Sequence, residues 1–315
     1  MGRIAVIGNG VVGQRVAKHV AAMSSHSLVS IDSRRVDLES SPLLDKVEVA
    51  VLAHSSAHHP DSIALLDRGI SVISVGDQMA DVDAMTLESE RAMRSAASLV
   101  VGAGMSPGLV GLIARYLTTQ LASIDEIHVG IHGTAGPACA RQHHRGLAGH
   151  AVAFDDGSFT TFRAGTGRQL EWFPEPVGAY DCYRAEVPGP VLMHRTFPDA
   201  VRISARLSAN RRDRLTSRLP MLTPPHREGG VGALRVEVRG ADTSGARLTL
   251  IAGIAEMVGS ATAATVCAYL DAILDGDFPV GLNLPGDERV NTTALLRAIE
   301  SRGIRLQEFT GLPSN

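Results

Sequence analysis

Lysine is nearly missing from this 315-residue chain. It occurs only as Lys18 and Lys46, and arginine carries the rest of the positive charge. No lysine from the second half can therefore serve as acid, base or Schiff-base former. Cysteine is scarce too: Cys139, Cys182 and Cys267 stand far apart. Without a C-x-x-C pair they point to a reducing compartment and to neither a disulfide framework nor a structural zinc. A net charge of −3 supplies no basic face for phosphates, so no nucleic-acid partner is expected. No apolar run reaches the length of a membrane span, and the opening "MGRIAVIG" reads as a strand rather than a secretory leader. A cytoplasmic location with no membrane partner is the expectation.

What is present describes a soluble globular chain, 44% hydrophobic and 20% charged, long enough for two domains. Over residues 1–122, short apolar runs at 3–7, 27–31, 47–53, 70–75 and 98–103 suit strands buried on both faces. Helical segments lie between them. Val12, Val16 and Val20 fall at four-residue spacing, and "PDSIALLDRG" starts at Pro60 and stops at Gly69. This alternation predicts a doubly wound parallel sheet.

From 123 to 255 the runs at 126–131, 150–154, 158–163, 201–207, 233–238 and 246–251 alternate apolar with polar residues and are separated by turn signals. That predicts an α+β domain built on an antiparallel sheet with one wet face, serving substrate binding or dimerisation. Residues 209–230, rich in arginine and proline, read as a solvated excursion. Residues 256–315 read as C-terminal helices. The fold class is thus α/β, with a second, α+β domain.

"VIGNGVVG" sets Gly8, Gly10 and Gly13 in G-x-G-x-x-G spacing, after a strand and before a helix, with Asp32 nineteen residues further on. This is the context of a Rossmann-type dinucleotide site, in which Gly8, Asn9, Gly10, Val11, Val12 and Gly13 approach a pyrophosphate at a helix N-terminus. The following "SIDSRR" mixes two chemistries. Asp32 suits the ribose hydroxyl of NAD; Ser33, Arg34 and Arg35 suit the 2′-phosphate of NADP. Equally, the arginines are a solvated pair, one of them bonded to Asp32.

Two histidine clusters follow. In "AHSSAHHPD" the segment Ala53, His54, Ser55 and Ser56 is expected along the nicotinamide, with His58 and His59 as proton carriers behind Asp77. No carboxylate or cysteine stands at matching spacing around these histidines, so no metal is expected. In "ARQHHRGLAGH", Arg141, His143 and His144 are candidates for a substrate carboxylate, against the alternative of a polar loop.

Read together, the glycine turn, "SRR" (33–35), "VISVGDQMAD" (72–81) and "GAGMSPGL" (102–109) resemble the saccharopine dehydrogenase-like NAD(P) oxidoreductases. The likeness is especially to the related meso-diaminopimelate dehydrogenases, and it implies that the C-terminal helices of 256–315 return to the first domain. The resemblance covers residues 1–115, touches 276–285 weakly and is poor between. It implies that "SRR" holds a 2′-phosphate, which tips the cofactor towards NADP with NAD as the alternative. It also implies that Asp77 and Asp81 lie near the amino-acid centre of a substrate. Met105 and Ser106 are expected against that substrate, with Pro107 and Gly108 against the cofactor. Ser106 departs from the family, which has aspartate before this proline. The expected activity is hydride transfer at a C–N centre of a small amino- or keto-acid-like substrate, in amino-acid metabolism, by a homodimer. The alternatives are a reductase of a specialised metabolite and a non-catalytic NADP-binding regulator.

Overall fold

The computed structural model describes residues 2–32 and 34–309. The chain begins with β1 (Gly2–Ile7), α1 (Val11–Ala21), β2 (His26–Ile31), β3 (Val47–Leu52), α2 (His59–Asp67) and β4 (Ser71–Ser74). Next come α3 (Met79–Met85), α4 (Ser89–Arg94), β5 (Ser98–Val100) and α5 (Val110–Thr118). β2 and β3 flank β1, both parallel to it, and β4 and β5 extend the sheet beyond β3. The apolar runs earn this place: Ile4, Val6, Val51, Val72 and Ile73 have no exposed surface, as central strands covered on both faces require.

The second sheet uses β6 (Ser123–His132), then α6 (Pro137–Gly146), β7 (His150–Asp155), β8 (Ser158–Arg163), β9 (Gln169–Trp172) and β10 (Ala179–Arg184). It continues through α7 (Gly189–Thr196), β11 (Arg202–Ser208), α8 (Arg211–Thr216), β12 (Val231–Ala241) and β13 (Arg247–Met257). Among the described residues the pairings are antiparallel with one exception, β6 with β11, which are parallel. The sheet is therefore mixed, where hydropathy had suggested an antiparallel one. Alternation along a strand carries no direction, and the long excursion between β6 and β11 is what lets them run the same way.

The chain closes with α9 (Val258–Leu274), β14 (Gly281–Asn283), α10 (Thr292–Glu300) and β15 (Gln307–Glu308). β14 adds to β5 in parallel and gives the first sheet the order β14-β5-β4-β3-β1-β2. α9 packs on α1 and against both sheets, and is buried on nearly all sides, which its alanines and glycine permit. A Cβ on Gly259 would come within 2.7 Å of a Val11 methyl, so the α9 backbone lies directly on that α1 side chain. No helix of the described residues is long and apolar enough to cross a membrane.

Candidate active site

The loops after β1, β2, β3, β4 and β5 all open on one cleft of about 1110 Å³. It lies at the carboxyl ends of the parallel strands, where β1 has neighbours wound in opposite senses, the switch point at which ligands of such sheets bind. The opposite wall is the segment after β6, the polar side of α6, and Val258 and Thr262 of α9.

The three glycines of the first loop do different work. Gly8 has φ +118°, and a Cβ there would lie 2.5 Å from the Ala53 carbonyl oxygen. A Cβ on Gly13 would come 2.1 Å from the Gly8 carbonyl oxygen, so this residue lets α1 seat on β1. Gly10 differs: its missing Cβ would meet nothing nearer than the Ala53 carbonyl at 4.0 Å. Two glycines shape the turn and the middle one leaves space in the cleft, above the amides that open α1. That fits a pyrophosphate.

At the β2 end, Arg34 grips Asp32 with two side-chain bonds of 3.0 Å, Nε to Oδ1 and Nη2 to Oδ2. Its backbone N–H donates to the same carboxylate, and Arg35 Nε lies 3.6 Å from Oδ2. Hydrogen bonding from Arg34 holds the Asp32 carboxyl below its usual range. Both arginines are more than 80% exposed, so this corner is open to an incoming anion: 85% for Arg34 and 83% for Arg35. Ser33 lies outside the described residues.

The loop after β3 is organised by Asp81. Its buried carboxylate accepts the backbone N–H groups of His58 and His59 at 2.8–2.9 Å, tying the start of α2 to α3. His58 is buried beneath, with Nε2 3.1 Å from the His54 carbonyl and Nδ1 2.7 Å from the Ser74 hydroxyl. Burial, helped by the neighbouring His54, pushes its pKa down to about 4. His59 turns away from the cleft to Glu88 at 2.9 Å. His54, Ser55 and Ser56 line the cleft, His54 also meeting Asp61 at 2.9 Å.

Asp77 reaches into the cleft from the loop after β4. Gln142 Nε2 donates to its Oδ1 at 2.6 Å, and His143 Nε2 stands 3.7 Å from its Oδ2. Cys139 Sγ is 3.7 Å from the same His143 nitrogen, and His143 Nδ1 is buried without a partner. Burial opposes charge on His143, but Cys139 and Asp77 outweigh it and hold the imidazole well above its usual range. Arg141 and Arg145 project from α6 at the cleft surface, whereas His144 is buried on the far side near Thr216.

Gly104, Met105 and Ser106 line the cleft, and the Met105 amide donates to Thr262 Oγ1. Pro107 and Gly108 are buried behind them. Ser106 is extended and makes no side-chain cap. Cys139 and Gln142 escaped the sequence reading, because α6 was not recognised as a helix. The i, i+4 spacing of Cys139 and His143 after Pro137 was the available signal.

These features define a dinucleotide-type cleft between a doubly wound sheet and a mixed sheet. The same fold is found along the whole chain in saccharopine dehydrogenase (L-Glu forming) of Saccharomyces cerevisiae. The TM-score is 0.74 with 12% identity, covering 98% of this chain and 99% of that one. The diaminopimelate dehydrogenase of C. glutamicum, solved with DAP, gives 0.52 with 17% identity over 96% and 98% of the two chains. An engineered D-amino acid dehydrogenase bound to NADP+ gives 0.50 with 15% identity over 93% and 95%. No family model matches the sequence, and no curated protein matches it.

Proposed function

We propose that this protein is an NADP-preferring oxidoreductase acting at a C–N centre of a small amino- or keto-acid-like substrate. The carrying observation is the empty space over Gly10, in a cleft that runs from Asp32 and Arg34 past Asp77 to Arg141. Asp32 and Asp77 belong to loops three strand spacings apart, roughly 14 Å along the sheet edge. That separation lets one extended cofactor lie between a nucleotide end and a reaction end. A bound nicotinamide supplies or accepts the hydride.

The chain's own residues then have separable tasks. The α1 amides and Gly10 seat the pyrophosphate. Arg34 takes the 2′-phosphate, while Arg35 holds the Asp32 carboxylate. Arg141 offers a fork to a substrate carboxylate. Asp77 holds or moves the proton at the reacting centre; it is favoured over His58, whose nitrogens are both engaged, and over His59, which points elsewhere. Asp81 holds the loop and so acts on substrate only through position. The exposed Leu170 and Trp172 on one face of β9 support a homodimer.

Fluorescence titration with NADPH and NADP+, followed by a panel of amino and keto acids monitored by reduced-nicotinamide absorbance, tests this reading. Saturable binding with turnover of at least one substrate is expected. Absence of nucleotide binding refutes it; tight binding with the whole panel inert favours the regulator.

A further inference from the structure

Three side chains of the metal-ligating type meet in the cleft, with a Cys139–His143 hydrogen bond and a His143–Asp77 ion pair both at 3.7 Å. Asp77 comes from the parallel-sheet side; Cys139 and His143 come from one face of α6 on the opposite wall. One donor atom from each, a carboxylate oxygen, a thiol sulfur and an imidazole nitrogen, lies within 4.8 Å of the other two. We propose that Asp77, Cys139 and His143 bind one divalent transition-metal ion of the zinc class, with a fourth position open to the cleft.

The nitrogen-to-oxygen distance and the convergence of the donors separate this from a hydrogen-bonded relay. Zinc bonds of about 2.3 Å to sulfur and about 2.0–2.2 Å to nitrogen and oxygen give tetrahedral donor-to-donor edges of roughly 3.4–3.6 Å. The nitrogen-to-sulfur and nitrogen-to-oxygen edges here are both 3.7 Å. A direct N–H···O bond would be shorter, near 2.9 Å. In a nucleophile–base–acid relay, sulfur and carboxylate would use opposite ring nitrogens. Here both face Nε2, so the three donors converge on a point rather than forming a line.

The surroundings are also those of a ligand set. Gln142 donates to Asp77 Oδ1 and so leaves Oδ2 as the single coordinating oxygen, the outer-shell orientation that metal carboxylates use. Three protein ligands with an open position is the pattern of catalytic zinc, in contrast to closed structural sites. Because the ligands come from both walls, loading would tie the two sides of the cleft together. Under the oxidoreductase reading, on which this role alone rests, the ion would polarise a substrate oxygen or nitrogen during hydride transfer, and Asp77 would act through the ion in place of carrying the proton itself. The binding site itself stands without that reading.

Cobalt(II) titration of the chelator-stripped full-length protein, without nucleotide, is the test. One equivalent should bind with tetrahedral visible bands and a thiolate-to-cobalt charge-transfer band. Cys139→Ser should abolish the charge-transfer band. His143→Gln and Asp77→Asn should each weaken binding beyond the roughly 10–100-fold typical of outer-shell changes. Circular dichroism of each variant is the folding control. X-ray absorption of the cobalt-loaded wild type, showing one sulfur neighbour, gives a readout that needs no variant. Substoichiometric binding, a charge-transfer band that survives Cys139→Ser, or affinities unchanged in all three variants would overturn the site. Cobalt binding without nucleotide binding would overturn the oxidoreductase reading alone; nucleotide binding and turnover without cobalt binding would overturn the metal site alone.

Discussion

Lowering the pH should weaken this fold in part through one buried imidazole, His58. Its Nε2 faces a carbonyl oxygen, which only accepts, so that nitrogen carries the hydrogen and Nδ1 accepts from the Ser74 hydroxyl. Both bonds belong to the neutral ring. Burial, and secondarily the charge of His54, place the folded pKa at about 4 against 6.5 for a free histidine. The unfolded chain therefore takes up a proton as pH falls through 6.5, while the folded protein resists until about 4. Stability is full above this window, declines across it and levels off below it. A shift of this size costs ~3 kcal/mol in total, of which ~2 kcal/mol is lost between about pH 7 and about pH 5. Urea unfolding at those two conditions, on wild type and His58→Gln, isolates the effect. The variant should be less stable at the higher pH, by about 1–3 kcal/mol for disturbed buried bonds, and should lose ~2 kcal/mol less on acidification. Parallel losses in the two proteins would show that His58 is not buried neutral.

Three further outcomes follow from the cleft. Gly10→Val should abolish dinucleotide binding with the circular dichroism spectrum unchanged, because its Cβ enters space rather than protein; undiminished affinity would remove the cofactor site. Gly13→Ala, by contrast, should cost folding stability in a thermal melt, since its Cβ meets a backbone oxygen at 2.1 Å. Asp77→Asn should lower kcat by roughly 30- to 1000-fold with cofactor affinity nearly intact, the scale of a lost preorganised polar group; a kcat within a few-fold of wild type would make Asp77 structural.

The first half of the chain was legible because its physics is local. Strands buried on both faces must be continuous apolar runs, and a helix that seats on a strand needs glycine at the contact. Glu171 shows where that logic stops. It is buried in β9 against Arg235 at 3.4 Å, while its neighbours Leu170 and Trp172 are exposed, so the strand's pattern is inverted and β9 went unseen. The helix α6 failed to register for a related reason. Few of its residues enter the core, and its polar side lines the cleft, so it lacks the apolar stripe by which helices are recognised. The family resemblance implies that Asp81 lies near a substrate; its carboxylate is also engaged by two backbone amides, those of His58 and His59, from a loop more than twenty residues earlier.

The nucleotide corner sits between these cases, and its composition is more informative than its pairing. Asp32 alone would repel a 2′-phosphate, and two arginines alone would waste a ribose hydroxyl. Without an anion, Arg34 satisfies itself on Asp32, as two exposed opposite charges two residues apart will. A phosphate ester, with more charge and three acceptor oxygens, competes well for the same guanidinium. Arg35, already 3.6 Å from Asp32, can then hold the carboxylate in its place. The exchange trades one ion pair for another, so the net gain is small and the preference for NADP should be modest rather than exclusive. Arg34→Ala should weaken NADP roughly tenfold and leave NAD almost untouched, since only the phosphate loses a charge-assisted partner. Parallel fluorescence titrations with the two cofactors read this directly. If the wild-type protein binds NAD more tightly than NADP, the Asp32–Arg34 pair is the resting purpose of this corner and the arginines serve no phosphate.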